Sequence, residues 1–537
     1  MAVLSKKAVK QVLGELPYTA EFYWQFRQEG RPLSKSFSLD RTEQWLPRWR
    51  EEAQAAALLH PQGKRVVIFA TLRYWIEHAV LMGYALAGLG HRVTLVYLPY
   101  ANWQKEINRF DQRRQNAYSR KILGATGHLL ECVSWLDIND PKPLTPSLKE
   151  AIEETSTRDV QYTSQVEDID RDSALYKLRA ARNTAAAEKA FSWLSHNRPD
   201  TLLTPNGSIL EMGAVYQIAQ YLDIPAVTYE FGEQRGKIWL AQNSQVMRQD
   251  TAQLWDATKS EPLTVPEWDK IRDLFASRQQ ADLWENFTRR WQGQPSQGPS
   301  KVRSQLGLDA PEAANQPVVL LAANVIGDSL TLGRQVFTDS MTEWLQQTVR
   351  YFADRPDRQL IVRIHPGERY TKGPSVSNIL QQAMPELPAH IHLVSADDPV
   401  NTYDLIEIAD LGLVYTTTVG LEMAMSGVPA LVIGQTHYRN RGFTLDPVSW
   451  EDYFDRLENG LCEPGENRLT KTQVEQAWNY AYRFFFDYPQ PFPWHLLHFW
   501  DELEEWPVAR ALSKEGLAQF GDTFGYLIGE PVEWASR

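Results

Sequence analysis

Residues 65–97 have the sequence RVVIFATLRYWIEHAVLMGYALAGLGHRVTLVY, in which two apolar runs flank a longer segment rich in alanine and leucine. The runs at 65–70 and 92–97 have the length and the branched side chains of buried strands. The segment between them, 75–89, predicts a helix that Gly90 ends. A strand, a helix and a second strand at this spacing form a βαβ unit, so we expect a parallel sheet.

The same alternation recurs along the rest of the chain. Further strands are predicted in the first half at 201–204 and 226–229. In the second half the sequence predicts helices at 340–353 and 419–425 and strands at 318–323, 359–364, 391–394, 411–415 and 430–433. Apolar strands separated by helices are typical of a buried parallel sheet. We therefore expect an α/β protein with two Rossmann-like domains facing a cleft, and ligands at the carboxyl ends of the strands.

Changes in composition predict where the domains begin and end. A stretch rich in glutamine, proline, glycine and serine at 292–300 has no periodicity and predicts a linker. The expected regions are a helical N-terminal extension (1–60), a first Rossmann-like domain (61–290), a linker (291–317), a second Rossmann-like domain (318–470), and a C-terminal helix with an aromatic tail (471–537).

Composition and charge exclude several classes of protein. The chain has 537 residues, 43% of them hydrophobic, which is a globular composition. Its formal net charge of −12 disfavours nucleic acid as a partner. Two cysteines, no signal-peptide pattern and no apolar segment long enough to span a membrane predict a cytoplasmic protein. The sequence contains no P-loop, HExxH, GxSxG or zinc-binding pattern, so we expect neither a metal site nor a bound cofactor.

Arg363 and His365 stand at the end of a predicted strand, which Pro366 and Gly367 terminate. Side chains alternate along a strand, so both are expected on one face. A guanidinium and an imidazole at the carboxyl end of a strand are suited to binding a phosphate. The alternative is that Arg363 pairs with an acid and that His365 bonds to the backbone.

Three threonines follow the strand predicted at 411–415. Thr417 and Thr418 are expected at the start of a helix, where hydroxyls and free N–H groups bind anions, and Gly420 is expected to allow a ligand to approach. A capping box needs its acid three residues after the cap, and Glu422 lies four after Thr418, so we expect Glu422 to be free to bind a ribose diol. The alternative is that one threonine simply caps the helix.

Two more polar loops follow strands of the same predicted sheet. The loop 434–444 contains His437 and Tyr438 beside two arginines, and it is either a wall of a ligand pocket or a solvated loop. The connection 324–334 contains Asp328 and Arg334. Because all these segments follow strands of one sheet, we expect them to converge in space.

In the first domain, polar residues follow the strands predicted at 201–204 and 226–229. Asn206, Gly207 and Glu211 follow the first of these strands, and Glu230 and Glu233 follow the second. A carboxylate at this edge of the sheet is suited to act as a general base that deprotonates a hydroxyl. We choose Glu230 as the base from its position alone; the alternative is that both are salt-bridged loop glutamates.

The segments 363–366, 415–424, 427–432, 437–439 and 442–444 together resemble those of capsular polysaccharide biosynthesis proteins. These are glycosyltransferases of the GT-B fold that include bacterial Kdo transferases; CDP-glycerol glycerophosphotransferases and some bacterial sialyltransferases are more distantly similar. The similarity is clearest from 318 to 447. It implies that His365 and Pro366 form an HP motif, and Thr417 and Thr418 a hydroxyl pair, that hold the phosphate of a cytidine-nucleotide donor.

The resemblance implies a metal-independent glycosyltransferase that moves a sugar from a nucleotide donor, CMP- or CDP-linked, to a hydroxyl of a surface polysaccharide or related glycan. The first domain would bind the acceptor and the second the donor. The acid motif of the sialyltransferases is not recognisable here, so the resemblance assigns no base. Two alternatives stay open: a nucleotide-sugar 2-epimerase of the same fold, and a non-catalytic nucleotide-binding scaffold subunit of a glycan-assembly complex.

The aromatic C-terminal tail has two interpretations. It docks a lipid-linked glycan acceptor, in peripheral contact with the inner face of the plasma membrane, or it crosses back onto the first domain. We favour the second.

Overall fold

The computed structural model describes residues 6–285, 287, 294–463 and 467–534, and the side chains from residue 8 onward within these ranges. The chain forms two compact units. Unit 1 comprises residues 1–159, 170–246 and 490–532, and unit 2 comprises 160–169, 247–489 and 533–537.

Helices and strands alternate along most of the chain. The helices are α1 (Lys6–Glu15), α2 (Thr19–Phe26), α3 (Asp40–Ala57), α4 (Arg73–Gly88), α5 (Arg109–Leu123), α6 (Pro146–Ser164), α7 (Ala174–His196), α8 (Leu210–Tyr221), α9 (Ala252–Thr258), α10 (Val265–Gln279), α11 (Pro299–Gln305), α12 (Met341–Ala353), α13 (Val376–Ala383), α14 (Thr402–Ile408), α15 (Val419–Met425), α16 (Trp450–Cys462), α17 (Lys471–Tyr482), α18 (Phe499–Glu505), α19 (Val508–Ala511) and α20 (Lys514–Leu527). The strands are β1 (Arg65–Thr71), β2 (Arg92–Leu98), β3 (Leu130–Ser134), β4 (Thr201–Pro205), β5 (Ala226–Glu230), β6 (Lys237–Gln242), β7 (Val318–Ala322), β8 (Gln359–Arg363), β9 (Ile391–Val394), β10 (Leu411–Val414), β11 (Ala430–Val432) and β12 (Gln490–Pro491).

The sheet of unit 1 has the strand order β12-β6-β5-β4-β1-β2-β3. The five strands from β5 to β3 are parallel, and β6 and β12 extend the sheet in antiparallel fashion. The predicted unit of β1, α4 and β2 is confirmed, and α4 is buried along its whole length from Trp75 to Gly88. The sequence did not predict β3, β6 or β12.

The sheet of unit 2 has the order β11-β10-β7-β8-β9, and all its neighbouring strands are parallel. The chain first builds β7, β8 and β9 in one direction and then returns to add β10 and β11 on the other side of β7. The strand order therefore reverses between β7 and β10, the position at which open α/β sheets bind ligands. The predicted α/β class with two Rossmann-like units is confirmed.

The limits of the two units differ from the regions expected from composition. Residues 247–285, expected in the first domain, lie in unit 2, where Arg278 of α10 pairs with Glu422 of α15. The expected linker contains α11, and its residues 291–293 lie outside the described ones. The N-terminal extension is helical, as expected, and belongs to unit 1.

The part of the aromatic tail from 490 to 532 returns to unit 1, which is the interpretation we favoured, whereas Phe484 and its neighbours belong to unit 2. Residues 490–532 belong to unit 1, and Trp494 is fully buried against Phe492 and Phe524. Its aromatic side chains thus complete a core. Within the described part of the chain, no helix is long and apolar enough to cross a membrane.

Candidate functional site

The loops at the point where the strand order of unit 2 reverses are bonded to one another. Asn324, just after β7, accepts a hydrogen bond through Oδ1 from the backbone N–H of Thr416, just after β10, at 3.2 Å. The backbone N–H of Gln435, after β11, donates to the carbonyl of Arg334 at 2.7 Å. The predicted segments after β7, β10 and β11 therefore do converge. Asn324 was not among the residues chosen from the sequence, because its partner is a backbone group that a sequence pattern does not reveal.

Arg363 is the last residue of β8, between Ala322 of β7 and Val394 of β9. It is only 3% exposed, and its Nη1 donates to the carbonyl of Ser395 at 2.5 Å. Its Nε is buried without a hydrogen-bond partner, and no carboxylate among the described residues lies within ion-pair distance. Burial lowers the pKa of Arg363 to about 10, although Asp398 opposes the shift. Among the described residues, the alternative of an Arg363–acid pair is therefore not found. Arg363 is a buried cation whose Nε has no hydrogen-bond partner.

His365 is half-buried and begins the short 3₁₀ turn of Pro366–Tyr370. Its Nδ1 accepts a hydrogen bond from the backbone N–H of Gly367 at 2.9 Å. An accepting Nδ1 places the proton of the neutral ring on Nε2. The backbone thus fixes the orientation of the imidazole, as the alternative interpretation held, and the same bond makes Nε2 a hydrogen-bond donor.

The three threonines after β10 have different environments. Thr418 is the N-cap of α15, yet its side chain makes no capping hydrogen bond. The hydroxyl of Thr417 accepts from the N–H of Val419 at 3.4 Å. The hydroxyl of Thr416 is buried and has no partner among the described residues. The Thr418 side chain therefore does not cap the helix, whereas Thr417 bonds its first N–H, as the capping alternative allowed. Thr416 is a residue of this segment that the sequence interpretation passed over.

Gly420 and Tyr438 have a packing role that differs from the one expected. A Cβ at Gly420 would lie 2.6 Å from Oη of Tyr438 and 2.7 Å from Cγ2 of Val414. The Tyr438 side chain is fully buried and donates its hydroxyl to the carbonyl of Thr417. Gly420 has no side chain, and this leaves room for the ring of Tyr438. The expectations that Gly420 allows a ligand to approach and that Tyr438 lines a ligand pocket are therefore corrected.

Glu422 is not free, contrary to our expectation. It is 3% exposed, and its Oε1 accepts a hydrogen bond from Nη1 of Arg278 at 3.2 Å. Burial raises the pKa of Glu422, while Arg278 opposes that shift. The expectation rested on the spacing between Glu422 and Thr418, which concerns only neighbours along the chain. The actual partner, Arg278, is 144 residues away in sequence.

His437 is also an interior residue. Its ring stacks on Phe484 with 3.7 Å between centroids, and its Nδ1 lies 3.0 Å from Oη of Tyr480. Burial lowers the pKa of His437 well below its usual range, and Arg334 and Arg441 lower it further. The imidazole is therefore neutral, and its Nε2 is buried without a partner in the described structure.

Asp328 and Arg334 lie in the loop after β7 but serve different contacts. Arg334 is buried and donates to the backbone carbonyls of Met247 and Arg248. Asp328 is half-buried and accepts a hydrogen bond from the hydroxyl of Ser329 at 3.1 Å. Arg334 thus joins the segment at 247–248 to this loop. The expectation that Arg334 contacts a ligand is corrected to this contact with the backbone.

In unit 1, Glu230 ends β5 beside the turn that follows β4. Its Oε2 accepts from Nδ2 of Asn206 at 3.2 Å, and its Oε1 accepts from the N–H of Phe231 at 3.1 Å. Burial raises the pKa of Glu230, and these two hydrogen bonds partly oppose the rise. Gly207 has a positive φ of 77° and a Cβ there would meet Cγ2 of Thr228 at 2.5 Å, so the turn that presents Asn206 requires glycine.

Glu211 and Glu233 do not share this environment. Glu211 is 1% exposed and pairs at 3.1 Å with Arg179, which also pairs with Asp159. The expectation that Glu211 contacts the acceptor is therefore corrected. Glu211 belongs to a buried ion cluster that joins α6, α7 and α8. Glu233 is half-buried in the loop 231–236 that follows Glu230.

The loop after Glu230 is anchored by an aromatic cluster. The ring of Phe231 lies 5.0 Å from His78, 5.2 Å from His495 and 6.1 Å from Phe492, measured between centroids. His495 also approaches the carbonyl of Gly232 at 3.1 Å through Nε2. The returning tail therefore fixes the backbone next to the candidate base, a contact that sequence reasoning missed.

No family model matches the chain, and no curated protein matches it. Solved structures do resemble it. The beta Kdo 2,4 transferase KpsC of Thermosulfurimonas dismutans is 16% identical with a TM-score of 0.34, covering 62% of this chain and 87% of that one. The UDP-GlcNAc 2-epimerase of Neisseria meningitidis bound to UDP-GlcNAc is 11% identical with a TM-score of 0.25, covering 79% and 100%. The calicheamicin glycosyltransferase CalG4 is 15% identical with a TM-score of 0.25, covering 82% and 98%. Every one of these TM-scores is below 0.5.

Proposed function

We propose that this protein is a glycosyltransferase that moves a sugar from a nucleotide-activated donor to a hydroxyl of a surface polysaccharide or related glycan. The observation that carries the proposal is Arg363, a buried guanidinium without a carboxylate partner among the described residues, at the carboxyl end of β8. A buried cation is costly unless an anion compensates it. A donor phosphate is such an anion.

Polar groups that follow strands of the same sheet suit the same ligand. In the tautomer that the Gly367 hydrogen bond selects, Nε2 of His365 carries the proton, and Thr416 and Thr418 carry hydroxyls that make no side-chain hydrogen bond within the described structure. When the sugar–phosphate bond breaks, negative charge develops on the departing nucleotide. Donors held rigidly around that phosphate stabilise the charge more in the transition state than in the ground state.

Glu230 is the proposed general base. Its raised pKa keeps the carboxylate basic enough to take a proton from an acceptor hydroxyl as the new glycosidic bond forms. Asn206 and the N–H of Phe231 hold its two oxygens in place. By the resemblance to capsular polysaccharide enzymes, the donor is a CMP- or CDP-linked sugar, the reaction needs no metal, and the acceptor is a glycan or lipid-linked glycan at the inner face of the plasma membrane.

The experiment that tests the proposal is a transfer assay with CMP-, CDP-, UDP- and GDP-linked sugars and an extract of glycan acceptors. We expect acceptor-dependent release of one nucleotide by the wild type, a strong loss in His365→Ala, and an unchanged rate in the control His128→Ala, which alters an exposed histidine. Interconversion of a nucleotide sugar without any acceptor would instead identify an epimerase. Nucleotide binding without turnover would identify a scaffold subunit.

A further inference from the structure

The first two helices, α1 and α2, expose their apolar side chains. We call residues 6–26 the N-terminal hairpin. In α1 and the residue that follows it, Val9, Val12 and Leu16 form a row of exposed side chains, of which Val12 is 60% exposed. In α2 and its cap, Tyr18, Phe22 and Phe26 are 69%, 61% and 73% exposed. The spacings of three and four residues place each row on one face of its helix.

The inner side of the hairpin is fixed by polar contacts. Arg113 of α5 donates to the carbonyls of Gly14 and Leu16 and pairs with Glu21, and Lys10 pairs with Asp111 at 2.8 Å. A Cβ at Gly14 would lie 2.8 Å from the backbone N of Phe110, so glycine allows α1 to approach the start of α5. The hairpin also buries Ala20 and Trp24, so apolar side chains lie on its inner side as well as on its exposed face, unlike an ordinary surface helix, which has one apolar face and buries it.

The charge around the hairpin has the opposite sign to that of the chain. Residues 1–35 contain six basic and three acidic side chains, a net charge of +3, and α5 contains five basic and one acidic, a net charge of +4, whereas the whole chain carries −12. Arg27 and Lys35, which follow the hairpin, are exposed. Exposed aromatic and aliphatic side chains among basic residues are the pattern that binds the interface of an anionic bilayer.

We propose that the N-terminal hairpin is a membrane-binding surface whose occupant is the headgroup region of an anionic lipid bilayer. A second copy of the chain fits less well, because a symmetric interface would bring two positively charged surfaces together. Within the aromatic tail, Phe484 is 5% exposed and Trp494 is fully buried, so these two side chains do not reach a membrane. The hairpin would hold the protein at a membrane surface whether or not the protein transfers a sugar. If it is a transferase, the same contact would place it where a lipid-linked acceptor lies.

Vesicle co-sedimentation of the full chain tests the proposal. We expect binding to vesicles of phosphatidylcholine and phosphatidylserine in equal parts, little binding to phosphatidylcholine alone, and weaker binding as salt is raised. Phe22→Ser/Phe26→Ser should lower the affinity at least about tenfold, because two exposed rings no longer enter the interface. Arg27→Gln/Lys35→Gln should weaken binding to the anionic vesicles.

The matched control is Leu58→Ser/Leu59→Ser, which removes two side chains that are 85% and 82% exposed outside the hairpin. It should bind vesicles like the wild type, and all variants should keep the melting temperature of the wild type. Three results would overturn the proposal: no binding of the wild type to anionic vesicles, equal binding by the Phe22/Phe26 variant, or an equal loss in the control. A wild type that binds no vesicles but forms dimers that Phe22→Ser/Phe26→Ser dissociates would assign the surface to a second copy instead.

Discussion

The side-chain amide of Asn206 donates to the carboxylate of Glu230 at 3.2 Å, and this hydrogen bond favours the ionised form of the candidate base. Burial raises the pKa of Glu230, and the Asn206 hydrogen bond is the largest influence that lowers it again. A general base must be ionised to act, so the transfer rate should fall as the pH decreases through this pKa.

Loss of the Asn206 hydrogen bond should change the pH profile of transfer. In Asn206→Ala the stabilising hydrogen bond is lost, so the acidic limb of kcat/KM should move to higher pH. Glu230→Gln should lose transfer and still bind the nucleotide. The measurement is the pH dependence of kcat/KM for the wild type and Asn206→Ala. If the limb keeps its position, or moves to lower pH, Glu230 is not the base.

Removing the buried charge of Arg363 should separate ligand binding from stability. Arg363→Met eliminates a cation that lacks a carboxylate partner among the described residues, so the free energy of unfolding should stay within about 1 kcal/mol of the wild type. Nucleotide binding should be lost, and Arg363→Lys should retain part of it. Urea unfolding with and without nucleotide measures both quantities. Severe destabilisation of Arg363→Met without ligand would point to a structural arginine.

Asn324 should matter for stability and for the ligand site together. Asn324→Ala leaves the buried N–H of Thr416 without its partner, which should cost about 1–3 kcal/mol of unfolding free energy. The loop after β10 would then be less rigid, so nucleotide affinity should also fall. Asn459→Ala, at an exposed position of α16, is the control and should change neither quantity. Unchanged stability of Asn324→Ala would show that the bond between the two loops is unimportant.

The packing role of Gly420 leads to a double-mutant prediction. Gly420→Ala places a methyl group 2.6 Å from the Tyr438 hydroxyl oxygen and should cost about 1–3 kcal/mol through overpacking. Tyr438→Phe removes that oxygen, so the double variant should be less destabilised than the sum of the two single changes. The unfolding free energies of the three variants provide the coupling. Additive effects would show that Gly420 and Tyr438 do not interact, which would contradict the packing role of Gly420.

The sequence predicted most strands of the two sheets, because each of those strands is an apolar run of its own. The strand at 391–394 and the helix at 419–425 have the predicted bounds, and the other predicted strands end within a residue or two of those observed. β3 was missed because Glu131 interrupts its apolar run, and β6 because Lys237 begins a segment of mixed polarity. Local pattern thus sufficed where a strand is buried on both faces.

The side-chain environments of the site could not be predicted in the same way. Glu422 was expected to be free because its neighbours in sequence do not bind it, yet Arg278 does, from α10. Glu211 was expected at the acceptor and instead pairs with Arg179. The sequence identified the loops that converge, since strand order dictates them, but which polar groups remain unpaired depends on contacts between distant segments.

The most direct measurement is a thermal-shift panel of CMP, CDP, UDP, GDP and ADP with the wild type and His365→Ala. A nucleotide at 100 times its dissociation constant should stabilise the folded protein by about 2.7 kcal/mol. We expect stabilisation by a cytidine nucleotide, lost in His365→Ala and kept in His128→Ala. A preference for UDP or GDP would leave the phosphate site in place and remove the cytidine assignment. No response of the wild type to any nucleotide would contradict the account.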